Sequence, residues 1–277
     1  MRAASPLRYP GGKWRLTECF EGVVKLNYDC PPVYIEPYAG GASLALSLLF
    51  SGTVAEIYLN DLDPAIHAFW FCVLRHTQEL CEQIDRVVVT PQEWRKQKML
   101  YAKGLSAGPL ALGFSTFFLN RTNHSGILNG GMIGGKRQRG EWKLDARFNR
   151  CELIRRIQKI ASFEDRIHLT RQDAVGFLTR RRFRKNSLIY LDPPYFHAGR
   201  RLYLNAYSPA DHVKVRDCAA QLRYPWVVSY DDTPEIRKLY RIHKCRPVRL
   251  LHTARSARLG REIMFFSRQL RIPSAIQ

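Results

Sequence analysis

The motif Asp192-Pro193-Pro194-Tyr195 places reactive groups directly after an apolar segment, 187–191. Each proline fixes φ near about −65° and removes a backbone N–H donor. The Asp192 carboxylate and the Pro193 carbonyl are therefore rigid acceptors at the end of a predicted strand. Two acceptors at a fixed spacing can bind both protons of an exocyclic amine and aim its lone pair at an electrophile. Tyr195 supplies a ring on which a flipped-out base can stack.

A second segment, 35–43, reads Ile-Glu-Pro-Tyr-Ala-Gly-Gly-Ala-Ser and joins a predicted strand to a predicted helix. Glycines let a backbone approach a ligand closely, and a helix N-terminus presents free amides. The segment lacks the spacing of a dinucleotide fingerprint and the Lys-Ser/Thr of a phosphate loop. Glu36 at the strand end and Gly40 in the turn are candidate cofactor contacts. The alternative is an ordinary strand-to-helix turn.

Asp61 follows the next predicted strand, 56–60. A carboxylate about 20 residues after a glycine turn is placed to bind the diol of a ribose. Because no phosphate-binding motif precedes it, a nucleoside cofactor without a phosphate fits better than NAD. The alternative is that Asp61 or Asp63 caps the helix that starts at Pro64. We assign the cap to Asp63 and the ligand contact to Asp61.

The elements that position these groups alternate along the chain. Strands are predicted at 32–36, 56–60, 167–170, 187–191, 226–229 and 263–267, and helices at 40–50, 63–76, 152–161, 211–222 and 235–240. This alternation predicts an α/β fold, a mainly parallel sheet with helices on both faces. Ligands of such sheets bind at the carboxyl ends of the strands, beside the topological switch point. Glu36, Asp61 and Asp192 should therefore lie close together.

The segment 77–150 interrupts the alternation. A helix is predicted over 78–105, and a glycine-rich basic stretch over 126–140 could form a hairpin. We interpret this segment as an inserted module. Its basic loop carries Lys136, Arg137 and Arg139, which could contact base edges or phosphates in a DNA groove.

The charge of the chain points to a polyanionic partner. The 277 residues include 44 Lys and Arg against 24 Asp and Glu, a net charge of +20. Nucleic acid is the first candidate and an anionic membrane surface the second. The longest mostly apolar run, 42–50, is too short to span a bilayer, and residues 1–13 lack the apolar core of a secretory signal. Seven scattered cysteines without a Cys-x-x-Cys pair indicate reduced thiols in the cytosol, with neither a zinc site nor a disulfide framework.

In their order along the chain, these motifs resemble the adenine-specific DNA methyltransferases of the DNA adenine methylase (Dam-like) family. The shared pattern comprises a Gly-Gly-Lys motif ending at Lys13, the Glu-Pro-Tyr-x-Gly loop, the strand end Asn60-Asp61 and the Asp-Pro-Pro-Tyr motif. The segment Phe117-Phe-Leu-Asn-Arg121 is similar to the family's aromatic-Leu-Asn-Arg segment. The resemblance covers roughly residues 7 to 268.

The resemblance implies S-adenosylmethionine as the cofactor, with contacts from Tyr9, Lys13, Asp61 and Asp192, and adenine stacking on Tyr195. It implies methyl transfer to the N6 amine of adenine by direct displacement at the sulfonium methyl, without a metal.

The expected fold is a seven-stranded, mostly parallel Rossmann-like methyltransferase sheet. Residues 1–76 and 151–277 would form the catalytic domain, and 77–150 a helical or hairpin target-recognition domain. Asn120 and Arg121 would contact double-stranded DNA together with the basic loop. We expect a cytoplasmic monomer, bacterial or phage-encoded, with any cognate restriction enzyme acting separately.

The residues alone leave the substrate partly open. Asp192 and the Pro193 carbonyl would accept the N4 amine of cytosine or an adenine in RNA equally well, and only the resemblance favours adenine in DNA. A non-catalytic basic nucleic-acid-binding protein on the same fold is the alternative from another class. The intact motif ending at Tyr195 argues against it.

Overall fold

A seven-stranded sheet forms the centre of the computed structural model, which describes residues 4–8, 13–196, 207–252 and 258–273. The strand order is β3-β2-β1-β4-β5-β7-β6. Neighbouring strands are parallel, except that β7 runs antiparallel to both β5 and β6. The strands are β1 Val33–Glu36, β2 Glu56–Asn60, β3 Ile167–Thr170, β4 Ser187–Leu191, β5 Trp226–Asp231, β6 Lys244–His252 and β7 Arg258–Phe266.

Helices cover both faces of this sheet. They are α1 Thr17–Asn27, α2 Ser43–Phe50, α3 Pro64–Arg75, α4 Thr77–Arg86, α5 Pro91–Ala102, α6 Pro109–Thr122, α7 Arg150–Ala161, α8 Ala174–Arg180, α9 Pro209–Gln221 and α10 Pro234–Leu239. Alternate residues of β1 face opposite sides. Tyr34 packs in one apolar cluster with α1 to α4, α6 and α7, whereas Val33 and Ile35 pack in a second with α8, α9 and α10. The predicted fold class is confirmed.

Several local predictions need correction. The helix predicted over 78–105 is two helices, α4 and α5, because three β-branched valines precede Thr90 and Pro91. Thr90 caps α5 by accepting a hydrogen bond from the Glu93 N–H at 3.1 Å. Helices α1, α6 and α8 and strand β6 are additional to the predicted elements. Asp63 caps α3 as predicted, accepting from the Ala65 N–H at 2.8 Å.

The segment 77–150 shares its core with the rest of the chain. Phe117 of α6 stacks on Phe69 of α3 with ring centroids 6.0 Å apart, and both belong to the same apolar cluster. The stretch 126–140 contains turns. The one bridge described beside it is isolated and joins Asn123 to Met132, so the hairpin that the sequence allows is not formed as paired strands in the described residues. The division into a catalytic domain and a recognition domain stays a prediction. In the described part of the chain, no helix has the length and apolar character to cross a membrane.

Candidate active site

The strand-end groups meet where the sheet order switches direction. β1 pairs with β2 on one side and with β4 on the other, in a register that sets Tyr34 opposite Leu188 and Ile35 opposite Ile189. The carboxyl ends of β1 and β4 therefore lie side by side, with Glu36 ending one and Asp192 following the other. This is the switch-point crevice in which parallel sheets bind ligands.

The two carboxylate oxygens of Asp192 are held from different elements. Lys13 Nζ donates to Oδ2 at 2.9 Å, and Ser229 Oγ of β5 donates to Oδ1 at 2.8 Å. The hydroxyl oxygen of Tyr190 lies 2.7 Å from Ser229 Oγ and extends this chain into the core. The Asp192 side chain keeps a fifth of its surface exposed. The carboxylate is thus fixed in orientation and still accessible to a ligand.

Lys13 connects the motif after β4 to the end of the sheet. Its side chain is 4% exposed, and Nζ donates to the Tyr195 hydroxyl at 3.0 Å and lies 3.8 Å from Glu262 Oε2. The Tyr195 hydroxyl in turn donates to Glu262 Oε1. Burial raises the pKa of Glu262, Lys13 opposes the increase, and Asp192 adds to it. The tip of the Tyr195 ring is therefore held between an ammonium and a carboxylate.

Glu36 is a buried carboxyl at the end of β1. Its side chain is 4% exposed, and within the described residues its Oε2 atom has no hydrogen-bond partner. Burial raises the pKa of Glu36 well above its usual range, Asp192 raises it further, and Lys13 lowers it. A buried acceptor without a partner is costly unless a ligand satisfies it.

Asp61 binds the glycine turn that follows Glu36. Its Oδ2 accepts from the Gly40 N–H at 2.8 Å and its Oδ1 from the Asp63 N–H at 3.0 Å. Gly40 has a φ of +45°, a left-handed conformation that favours glycine. Burial raises the pKa of Asp61 to about 7 although both hydrogen bonds lower it. The turn is therefore preformed, and Asp61 holds its shape.

Asn120 lies inside the protein. It is 1% exposed, accepts from the Arg8 N–H at 2.7 Å, and donates to the Arg8 carbonyl at 2.8 Å and the Gly126 carbonyl at 2.9 Å. A Cβ atom on Gly126 would lie 2.2 Å from the Arg8 carbonyl oxygen, so only glycine permits this approach. Asn120 thus joins the N-terminal segment to the end of α6.

Arg121 belongs to a cluster of arginines. Its Nε donates to the Arg147 carbonyl at 2.8 Å. Burial, together with the nearby charges of Arg8, Arg156 and Arg147, lowers the pKa of Arg121 to about 9. Burial and Arg147 likewise lower the pKa of Arg8. Arg156 is paired with Glu152 at 2.8 Å, whereas in the described part of the chain Arg8, Arg121 and Arg147 have no carboxylate partner.

The basic loop is exposed and ordered. Lys136, Arg137 and Arg139 are exposed around Gln138, which has a φ of +50°. The Gln138 amide donates to the Ile133 and Gly135 carbonyls at 2.8 Å each and accepts from the Leu144 N–H at 2.8 Å. The Gln138 side chain therefore joins the two ends of the loop.

The structure brings together Lys13, Glu36 and the motif from Asp192 to Tyr195, with Gly40 and Asp61 joined in the adjacent turn. Tyr9 lies outside the described residues.

Sequence reasoning missed Ser229 and Glu262. The available signal was a single polar residue beside a run of apolar ones. Ser229 ends the run Trp226-Val-Val-Ser, and Glu262 precedes the run Ile-Met-Phe.

Comparison with known proteins adds a family match. A model of the family "D12 class N6 adenine-specific DNA methyltransferase" matches residues 9–250, most of the chain. No curated protein sequence gives a significant match.

Three solved structures are similar at low scores. An rRNA methyltransferase, aviRa, from Streptomyces viridochromogenes has a TM-score of 0.40 and 15% identity, covering 94% of this chain and 86% of its own. A candidate class I S-adenosylmethionine-dependent methyltransferase from Listeria monocytogenes has a TM-score of 0.41 and 11% identity. The match covers 95% of this chain and 62% of the Listeria chain. A candidate methyltransferase complexed with SAH has a TM-score of 0.39 and 11% identity. The match covers 95% of this chain and 55% of the other chain.

Proposed function

The chain belongs to the D12 class of N6 adenine-specific DNA methyltransferases, and from that premise we propose that the crevice around Asp192 is the site where adenine N6 is methylated. The reaction uses S-adenosylmethionine, which supplies, when bound, an electrophilic methyl group on a positively charged sulfur. The observation that carries the proposal is the fixed Asp192 carboxylate beside two prolines, with Lys13 on one oxygen and Ser229 on the other.

The residues at the end of β1 fit this cofactor. S-adenosylmethionine carries an ammonium and a sulfonium, and a buried carboxylate gains most from a cation nearby. Glu36, whose Oε2 has no partner among the described residues, is the group that would face this charge. Asp61 uses two of its acceptor sites on the turn and its neighbour, so others remain for the ribose hydroxyls. Lys13 and Gly40 would line the same side of the pocket.

The protein's part in the reaction is mainly positioning. Asp192 and the Pro193 carbonyl would accept hydrogen bonds from the two N6–H groups of a flipped-out adenine, leaving the nitrogen lone pair directed at the methyl group. As the N–CH3 bond forms, the S–CH3 bond would break to leave a neutral thioether, and the methylated amine would then release one proton to solvent. Lys13 and Ser229 keep the Asp192 carboxylate from rotating away. Positive charge developing on N6 would be stabilised by this fixed carboxylate. Tyr195, held at its hydroxyl, would offer its ring to the base.

The arginine cluster supports contact with the DNA backbone. Arg8, Arg121 and Arg147 repel one another in a partly buried site and lack a carboxylate partner within the described residues. A phosphate would relieve this repulsion and accept guanidinium hydrogen bonds. Arg8 precedes Lys13 by five residues, so the Cα atoms of these two residues lie within about 18 Å of each other. We assign Asn120 the positioning of Arg8.

The remaining features concern the setting of the protein. Lys13, Asp192, Ser229 and Glu262 come from one chain, which supports a monomer as the active form. The seven cysteines are free, which supports the reducing cytoplasm of a bacterial host, whether the gene is the host's or a phage's. A cognate restriction enzyme would then be a separate protein.

The test is methyl transfer by purified protein to duplex DNA, followed by identification of the methylated nucleoside. Asp192→Ala should lower the rate by ~10²–10³, the usual effect of losing one preorganised electrostatic group. Asp217→Ala is the matched control, because its side chain is 54% exposed and pairs only with Arg216 among the described residues. Calorimetry with S-adenosylmethionine distinguishes an enzyme from a binding protein without catalysis.

The proposal fails if Asp192→Ala keeps full activity. N4-methylcytosine as the product, or preference for RNA, would replace the substrate with one of the alternatives.

A further inference from the structure

Trp142 is a tryptophan exposed to solvent. Its side chain is 56% exposed, and among the described residues no other Phe, Tyr or Trp side chain is exposed. Trp70, Trp94 and Trp226 are buried, and Trp14 is half-buried. Large aromatic rings usually lie in cores or interfaces, because their burial contributes much apolar area. The exposed ring of Trp142 is therefore available for contact with a partner.

The loop that carries Trp142 is ordered by its own hydrogen bonds. Besides the three bonds of the Gln138 side chain, Lys143 Nζ donates to the Gln138 carbonyl at 2.9 Å and to the Gly140 carbonyl at 3.1 Å. Gly134, with a φ of +81°, lies so close that a Cβ atom there would be 2.8 Å from the Trp142 carbonyl oxygen. The indole is thus presented by a preformed loop, so little ordering entropy is lost when it binds.

One face of the indole is already covered by a cation. The Arg147 guanidinium carbon lies 5.2 Å from the centroid of the Trp142 ring. The Arg147 carbonyl accepts from Arg121 Nε at 2.8 Å, which ties this pair to the arginine cluster. The exposed area of Trp142 is left to a second flat group.

The charge around the ring selects the partner. The loop 134–149 carries five Lys or Arg residues and two Asp or Glu residues, a balance of +3. A basic surface with an exposed aromatic ring suits a nucleic acid, because cations bind the backbone and the ring stacks on a base. An apolar protein partner would gain nothing from the cations.

We propose that Trp142 and Arg147 form a stacking platform for one nucleobase of the bound DNA, outside the pocket that receives the target adenine. The inference rests on the proposed function, since it takes duplex DNA as the ligand. The base lies on the free face of the indole, and Arg147 on the opposite face strengthens the contact by its cation–π interaction.

Tryptophan emission gives a direct test with the full chain. Quenching by acrylamide is compared for the free protein, for the protein saturated with duplex DNA, and for the protein saturated with heparin as a polyanion without bases. DNA should protect an exposed tryptophan from quenching, heparin should protect it much less, and the difference should vanish in Trp142→Phe. The buried tryptophans contribute a constant background, and the variant separates Trp142 from Trp14.

Affinity gives the second measurement. Trp142→Ala should weaken duplex binding by about fivefold to a hundredfold, the range expected for a lost base–aromatic stack, and Trp142→Phe by less. Ile242→Ala is the matched control, because Ile242 is 61% exposed and is not stacked with a cation among the described residues. Cofactor affinity and the melting temperature should stay unchanged in all three variants.

The inference is overturned if DNA leaves the quenching of Trp142 unchanged, if heparin protects it as well as DNA does, or if Trp142→Ala binds duplex like the wild type. Each of these results leaves the proposed function standing, because wild-type methylation of DNA is measured separately. Wild-type protein that neither binds nor methylates duplex DNA overturns both.

Discussion

Replacing Lys13 by methionine should destabilise the fold in a way that depends on pH. Lys13 Nζ lies 2.9 Å from Asp192 Oδ2 and 3.8 Å from Glu262 Oε2. At an effective dielectric constant of about 20, these distances correspond to attractions of roughly 6 and roughly 4 kcal/mol before the cost of desolvation. Removing one partner of a buried pair typically costs ~3–5 kcal/mol, because the other charge is left without compensation. We therefore expect Lys13→Met to lower the free energy of unfolding by about 3–5 kcal/mol at pH 8.

The pH dependence follows from the carboxyl groups that Lys13 faces. Burial already raises the pKa of Glu262 and Glu36 in the folded protein, and Lys13 opposes both increases. A carboxyl whose pKa is higher in the folded state favours folding below its unfolded pKa, and this stability is lost as the pH rises through the folded pKa. Without Lys13 these pKa values rise further. The loss of unfolding free energy caused by Lys13→Met should therefore be larger at pH 8 than at pH 5.

Denaturant unfolding at both pH values measures the deficit, and a second substitution provides the control. Glu262→Gln has nearly the same shape as the wild type without the charge, so the double variant with Lys13→Met should be more stable than the sum of the two single effects predicts. Equal deficits at the two pH values, together with additive effects of the two substitutions, would refute the reasoning.

Two further predictions concern the glycine turn and the basic loop. The pKa of Asp61 is raised to about 7 by burial, so the free energy of unfolding of the wild type should fall as the pH rises from about 4 to about 7, relative to that of Asp61→Asn. Denaturant titrations at intervals of pH would contradict this if the two proteins gave parallel curves. Replacing the three exposed cations of the basic loop by alanine should weaken duplex binding and lower its salt slope by about one for each cation that contacts a phosphate, with cofactor affinity unchanged. The three cations are Lys136, Arg137 and Arg139. If the variant keeps the wild-type DNA affinity, salt slope and methylated-site profile, the loop is only a solvated surface.

Sequence periodicity predicted most of the sheet because its inner strands are apolar and end in recognisable turns. β4, with all five residues buried, was found with its boundaries correct. β6 was missed because, unlike the other edge strand β3, it contains Pro247 and several basic residues, which an edge position tolerates and which weaken the apolar pattern.

The candidate site was only half visible in the sequence for a different reason. Motif residues such as Asp192 are recognised from their neighbours in the chain. Ser229 and Glu262 reach the site only through the pairing of distant strands, so their local sequence does not identify their partners. For Asn120, the local motif identified the residue but not its environment. Whether its amide faces solvent or the interior depends on the contact with the distant Arg8.

The contact between Lys13 and Glu262 also determines when the pocket can be completed during synthesis of the chain. The two residues are about 250 positions apart, and a ribosome adds about 5–20 residues per second. Glu262 on β7 is therefore synthesised about 10–50 s after Lys13. By the end of that interval the nascent chain carries most of its Lys and Arg residues, while the pocket still lacks one wall. Because Glu262 lies on β7, the wall that it forms with Lys13 cannot be assembled until β7 has been synthesised.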